Sequence, residues 1–404
     1  MGFRELAGRF RIELLLFSFS LVVYLLSSGS MLSHQSLAPH FVYPAHAFLH
    51  GQLALAVDRP PNVNDWVFEN GRWYVSFPPF PAVVMMPFVA LCGLSFNDVL
   101  FTIAFGALNV ALFYRLARNV DRDCPEWDHA VYALVLGFGT LAWSCAIRGE
   151  VWFTAETLGV TLTLLYLLAA HEAKHPVLAG LALGCAAITR TPLAFSFVFF
   201  IFEALFAPGE VEWKRIGARF RAALPRLVPF ALAVVAVGAP MAAMNYARFG
   251  SVGEFGHSHL YANRVNQQIQ QFGLFHYAFL ERNLHSAFTR LPEISLHPLK
   301  IGFNGEGLSL FVTTPLFFFL LWPRDKARLR RALWLTVALV AIPGFFYQNS
   351  GWFQFGFRFS LDYTPYLVLL LALGHSERRR VFWTCAAASV AVNAWGAAVF
   401  NRLY

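Results

Sequence analysis

Charge is what this sequence has least of. Asp, Glu, Lys and Arg make up 13% of its 404 residues, against roughly 25% in an average soluble domain. With 57% of the residues hydrophobic, a water-solvated globule is excluded and a polytopic membrane protein is implied. The net charge of +8 does not point to nucleic acid, because the basic residues fall in short clusters between apolar runs. Clusters so placed set membrane topology. Cysteine is scarce too. Cys92, Cys124, Cys145, Cys185 and Cys385 show no CxxC or CxxH spacing, so neither a disulfide framework nor a cysteine metal site is expected. No polar linker marks off a soluble domain, and residues 1–404 read as one membrane domain. No internal repeat is visible, which weighs against an inverted-repeat transporter. A cleavage motif is missing as well: Arg4, Arg9 and Arg11 precede an apolar run in signal-like form, and the segment reads as an uncleaved anchor.

What the chain has is apolar runs. A spanning helix needs about 20 mostly apolar residues. Candidate runs cover 12–28, 99–116, 130–147, 153–170, 177–189, 193–206, 227–245, 308–322, 332–346, 363–374 and 381–400, an expectation of about eleven transmembrane helices in an all-α fold. The pair flanking Arg190 reads as broken or re-entrant. A further run, 79–94, follows Pro78 and carries Pro79, Pro81 and Pro87. Keeping it at the membrane surface places most of the 31 Lys and Arg in short loops on the side of the N-terminus, as the positive-inside rule requires. Making it a span would reverse every later cluster. The N-terminus is therefore expected in the cytoplasm and the C-terminus outside. Residues 29–97, 246–307 and 348–362 then form outer loops, the first containing interfacial helices.

The residues able to carry chemistry stand at the outer ends of these runs. Arg190 lies at membrane depth before Pro192 and needs an anionic partner, a carboxylate or a lipid-linked phosphate. Glu150 and Glu156 flank the start of one span and are candidate general bases or ligands of a divalent cation; equally, Arg148 neutralises one of them. His40, His46 and His50 punctuate the first loop. His46 and His50 share a helix face without a third ligand at metal spacing, so no metal centre is assigned. Asn245, Tyr246, Arg248, His257 and His259 cluster along a Gly-rich path that can close over a substrate or simply turn the chain. Arg358 and Asp362 are four apart among aromatics, a setting for sugar stacking or for an internal salt bridge. Tyr74, Asn245, Arg248 and Asp362 are taken as substrate-binding candidates.

The order of these motifs resembles the C-type (GT-C) glycosyltransferase superfamily, which includes protein O-mannosyltransferases and lipid A aminoarabinose transferases. It looks most like the prokaryotic family 39-like members. The resemblance rests on the helix ending at His50-Gly51, on NGRWYVSFPPFPAVVMMPFVAL, AGLALGCAAITRTP, NYARFGSVGEFG and GLSLFVTTP, and on FGFRFSLDYTPYLVLLLALG. It implies a GT-C-like fold in a prokaryotic cytoplasmic membrane. It further implies transfer of a sugar from a polyprenyl-phosphate donor to a cell-envelope acceptor on the non-cytoplasmic face. Members often carry an acidic base just before the first-loop helix, where this chain reads Gln35-Ser36-Leu37-Ala38-Pro39-His40. The base then falls to Glu150, Glu156, Asp65 or His40, with Asp58 and Glu69 the other acids of that loop. Arg190, Arg358 and Arg148 are candidates for the donor phosphate. The alternative is a polyprenyl-lipid or polysaccharide transporter, which needs the phosphate site and no base.

Overall fold

The computed structural model describes residues 10–57, 60, 65–206, 211, 213–260, 263–322, 327–374 and 379–400. Arg4, Arg9 and Asp58 of the reading above lie outside them. Helix α1 (Arg11–Ser28) leads into the first loop. There α2 (Val42–Leu49), the strands β1 (Trp66–Glu69) and β2 (Arg72–Val75) and helix α3 (Phe80–Cys92) follow. The hairpin is antiparallel, with Trp66 opposite Val75 and Glu69 opposite Arg72. Its turn is Asn70-Gly71, with φ of 50° and 74°, the left-handed pair that a tight hairpin turn demands. Helix α3 has 13 residues, about 20 Å at the helical rise, too short for a hydrocarbon core of about 30 Å.

Helices α4 (Asp98–Val120), α5 (Glu126–Phe138), α6 (Ala142–Ala146), α7 (Val151–Ala170), α8 (Pro176–Ala187), α9 (Phe197–Phe206) and α10 (Ile216–Phe249) come next. After them run α11 (Asn263–Phe272), α12 (Leu280–Leu284), the hairpin β3 (Glu293–Leu296) and β4 (Leu299–Gly302), and α13 (Leu310–Thr313). The chain continues with α14 (Arg328–Phe346), α15 (Thr364–Ala372) and α16 (Arg379–Val399). Among the described residues six helices are long and apolar enough to cross a membrane, those based on α1, α4, α7, α10, α14 and α16. The expectation of about eleven is corrected to this number.

The other apolar runs are broken, and the breaks have local causes. The run 130–147 stops at Thr140, whose hydroxyl donates to the Leu136 carbonyl at 2.6 Å and accepts from the Ala142 N–H at 3.2 Å. The runs around Arg190 part where that residue is extended (φ −141°) ahead of Thr191-Pro192, since proline cannot continue a helix and restrains the residues before it. The run 308–322 parts at Thr314-Pro315 for the same reason. Backbone groups freed in this way must be satisfied inside the protein. The Ile188 carbonyl, for one, accepts the Phe80 N–H at 3.1 Å. Helix α15, though only 9 residues long, is buried along its whole length and serves as an internal strut.

Side-chain contacts fix how the packed helices run. Helices α4 and α7 run parallel, through Thr102–Thr154 at 2.7 Å and Thr161–Asn109 at 2.6 Å. Helix α1 runs against α4, with Ser36 and Asp98 joined at one end and Glu13 and Arg115 at the other. The Glu203 carboxylate, fully buried, takes Arg328 at 2.8 Å and the Glu172 N–H at 2.8 Å, which puts the start of α14 beside the ends of α7 and α9. Arg219 of α10 reaches the Leu205 carbonyl at 3.4 Å. The basic residues of these helix ends therefore gather at one end of the bundle. The first loop, the start of α7 and the ends of α10 and α14 gather at the other.

Candidate functional site

The site end of the bundle holds a cavity of about 260 Å³. Its wall is built from segments far apart in the chain: Asp65 and Ser76-Phe77-Pro78, Trp152, Thr189–Pro192, Gly253–His257, the Tyr347–Asn349 stretch, and Phe357–Phe359 with Asp362. The break at Arg190 places one of these segments. The extended backbone at Arg190 turns its side chain toward α15, and the Ser360 turn before α15 presents Arg358 and Asp362 to the same spot.

Four charged side chains form a connected set beneath the cavity. Arg190 donates from Nε and Nη2 to Asp362 Oδ1 and Oδ2 at 2.8 and 2.7 Å, a bidentate pair. Arg358 Nη1 donates to Glu156 Oε1 at 2.7 Å, and its Nε donates to the Gly351 carbonyl at 3.1 Å. Glu156 Oε1 also lies 3.6 Å from Arg190 Nη1, and Cys145 Sγ approaches its other oxygen at 3.7 Å. Both guanidiniums lie against Phe359, at 5.2 Å and 5.1 Å from the ring centre. Two cations and two carboxylates cancel. Among the described residues Arg190 Nη1 and Arg358 Nη2 keep N–H groups without a hydrogen-bond partner, on residues that line the cavity.

Asp65 lines the cavity from the first loop. It sits at φ 62°, a left-handed conformation that Asp adopts at some cost. Trp152 Nε1 donates to its Oδ2 at 2.8 Å, and Ser76 Oγ donates to its carbonyl at 3.2 Å. His257 faces the same space between Phe77 and Tyr347. Burial pushes its pKa below the ordinary value, against the opposing pull of Asp65 and Glu254, so the ring is neutral at pH 7. Burial raises the Tyr347 phenol to about 12, which keeps it a proton donor. Glu254 Oε1 is occupied by the N–H groups of Gly256 at 2.6 Å and Ser258 at 3.4 Å.

The structure thus brings Asp65, Arg190, Arg358 and Asp362 to one cavity, with Glu156 directly behind the arginines. His257 of the Gly-rich path also lines it, while other sequence candidates stand elsewhere. Arg148 and Glu150 pair with each other, and the guanidinium lies between Phe153 and Phe400. His40 is buried and stacks on Trp66 at 4.0 Å. Tyr74 is buried edge-on to Phe249. Asn245 and Arg248 bond to one another at 2.8 Å, and Arg248 reaches the Val75 carbonyl at 3.4 Å. Those three residues fasten the β1–β2 hairpin to the end of α10. His50 Nδ1 bonds the His46 carbonyl at 2.8 Å. Among the described residues no group of three His, Cys, Asp or Glu is placed to hold a metal ion. Sequence reasoning passed over Trp152, Glu254 and Tyr347. Trp152 lies between the two glutamates that drew attention, and its ring N–H is what holds Asp65.

No family model and no curated protein matches the sequence. Solved structures do match. The oligosaccharyltransferase AglB of Archaeoglobus fulgidus, in complex with an inhibitory peptide and a dolichol-phosphate, aligns at a TM-score of 0.52 and 14% identity. That alignment covers 95% of this chain and 56% of the other. The apo form of the A. fulgidus enzyme gives 0.51 at 14% identity, over the same shares. ArnT from Cupriavidus metallidurans bound to undecaprenyl phosphate aligns at 0.48 and 15% identity, over 94% of this chain and 62% of that one. The chain spans little more than half the length of these proteins. Its all-α membrane fold is GT-C-like.

Proposed function

We propose that this chain is a membrane glycosyltransferase that moves a hexose from a polyprenyl-phosphate carrier to an acceptor hydroxyl of the cell envelope. The observation that carries the reading is the pair of guanidinium nitrogens, Arg190 Nη1 and Arg358 Nη2, that make no hydrogen bond among the described residues, on side chains lining an aromatic-walled cavity that Asp65 also lines. The motif order that resembles prokaryotic family 39-like members supports the hexose donor. The fold supports the carrier, since a chain of the same architecture is held with dolichol-phosphate.

The acceptor oxygen attacks the anomeric carbon, and the bond from that carbon to the phosphate oxygen breaks. The electron pair leaves with the phosphate, which gains one negative charge. Asp65 takes the hydroxyl proton. Arg190 Nη1 and Arg358 Nη2 meet a charge that is larger in the transition state than in the bound donor, which is the condition for a contact to accelerate the step. Their carboxylate partners hold them in place beforehand, so little reorganisation is needed. Trp152, Phe77 and Tyr347 offer faces for the sugar. The basic clusters at the opposite end of the bundle support an outward-facing cavity in a prokaryotic cytoplasmic membrane with a cytoplasmic N-terminus.

The test is release of free polyprenyl phosphate by the purified chain in lipid, given polyprenyl-phosphate hexoses and a panel of acceptors. Turnover is expected, and Asp65→Asn should lower kcat by about 10²–10⁴-fold, the usual worth of a general base, with donor binding retained. Donor bound and carried across vesicle membranes without hexose transfer to any acceptor would replace the transferase with a transporter.

A further inference from the structure

A second cavity lies at the other end of the bundle and plays no part in the proposed transfer. It measures about 930 Å³ and is lined by Arg11, Ile12, Glu13 and Leu15 of α1, by Arg115, Arg118, Asn119 and Arg122 at the end of α4, and by Glu126. Glu13 and Glu126 are spent on neighbours, at 3.2 Å from Arg115 and 3.4 Å from Arg118. The Arg115 guanidinium also lies 4.6 Å from the centre of the Phe10 ring. Arg11 and Arg122, both exposed, meet no carboxylate among the described residues. The groove therefore has two ion pairs with internal neutrality and two guanidiniums left over, a net charge suited to a phosphodiester or a pair of them.

The second observation is the surface below the groove. Leu15, Phe19, Val22 and Leu26 of α1 are all exposed, and their spacing of four, three and four sets them in one stripe down the helix. From Leu15 to Leu26 the stripe runs about 16 Å, roughly half of a hydrocarbon core of about 30 Å. A cationic groove at the head of an apolar stripe one leaflet long has the form of a glycerophospholipid. Free phosphate would use only the groove. Basic pockets between spanning helices hold anionic headgroups in this manner.

We infer that the groove between the start of α1 and the end of α4 is a binding site for an anionic glycerophospholipid. Arg11 and Arg122 take its phosphate and the α1 stripe takes its acyl chain. The site lies in the leaflet opposite the sugar-transfer cavity, and α1 and α4 join the two.

The test uses the full chain in phosphatidylcholine nanodiscs carrying spin-labelled phosphatidylglycerol or spin-labelled phosphatidylcholine, and reads the motionally restricted fraction of each. Phosphatidylglycerol should be preferred severalfold. Most of that preference should be lost in Arg11→Gln or Arg122→Gln and all of it in the double variant, and it should persist in Arg219→Gln. Added inorganic phosphate should not displace the labelled lipid. A preference unchanged in the Arg11→Gln/Arg122→Gln double variant overturns the proposal. So does full displacement by millimolar phosphate, which would reduce the groove to a simple anion site.

Discussion

At the scale of single residues, the balance among Arg190, Arg358, Glu156 and Asp362 decides most outcomes. All four are buried or nearly so, and removing one charge strands the rest. Glu156→Gln should destabilise the protein by about 3–5 kcal/mol, the usual cost of breaking a buried ion pair, read as a lower thermal midpoint in detergent. Arg190→Lys should weaken donor binding, because an ammonium gathers its donors on one nitrogen and cannot match both Asp362 oxygens as a planar fork while placing a separate N–H where Nη1 lies. His257 gives a pH dependence. Its folded pKa lies below the ordinary value, which is near 6.5 in the unfolded chain. Below that pH the unfolded state binds the extra proton, so stability falls as pH drops from about 6.5 toward the folded pKa. His257→Gln should flatten this slope of thermal midpoint against pH. The sequence already singled out Arg190, Arg358 and Asp362, because charge among apolar residues is costly and therefore conspicuous; Asp65 entered only as an acid of the first loop, through the resemblance. It could not assign partners. Glu150 and Glu156 looked alike, and only the packing of α7 shows that one faces Arg148 and the other the paired arginines.

At the scale of elements, close approach and helix breaks do the positioning. Helices α8 and α10 touch through Gly180 and Gly184, a small-xxx-small pair. A Cβ at Gly180 would strike the Phe230 carbonyl oxygen and lie 2.7 Å from Ala233 Cβ; one at Gly184 would lie 2.7 Å from Val237 Cβ. Gly180→Val should cost about 1–3 kcal/mol by overpacking, and it should also lower donor affinity, because α8 carries the chain to Arg190. Thermal unfolding and donor titration check the two effects separately. The breaks themselves were only partly legible. Proline after Arg190 marked one, but the stop at Thr140 comes from a hydroxyl taking over backbone bonds, which apolar periodicity does not reveal. For the same reason, counting apolar runs gave about eleven spans where six helices among the described residues have spanning length. Length measures how far a helix can reach, and burial inside the protein lets shorter ones remain apolar.

At the scale of the whole molecule, two ends with opposite chemistry define the design. One gathers the basic helix termini and the groove between α1 and α4; the other gathers the hairpin, the Gly-rich loop and the cavity. In intact cells, a cysteine at Ser251 should react with a membrane-impermeant maleimide and one at Arg122 should not, in a background where the exposed Cys92 is replaced. The general architecture could be read from composition and charge placement, since a membrane leaves few alternatives. The convergence on one cavity could not, because it joins segments nearly 300 residues apart, from Asp65 to Asp362. The claim that this cavity receives a lipid-linked phosphate is tested most directly by comparing equilibrium binding of polyprenyl phosphate with that of the matching polyprenol. The phosphate should bind at least about tenfold more tightly, a margin on the order of one charge-assisted contact, and Arg358→Met should erase the difference. Equal affinity for the two lipids, or a difference untouched by that substitution, would contradict it.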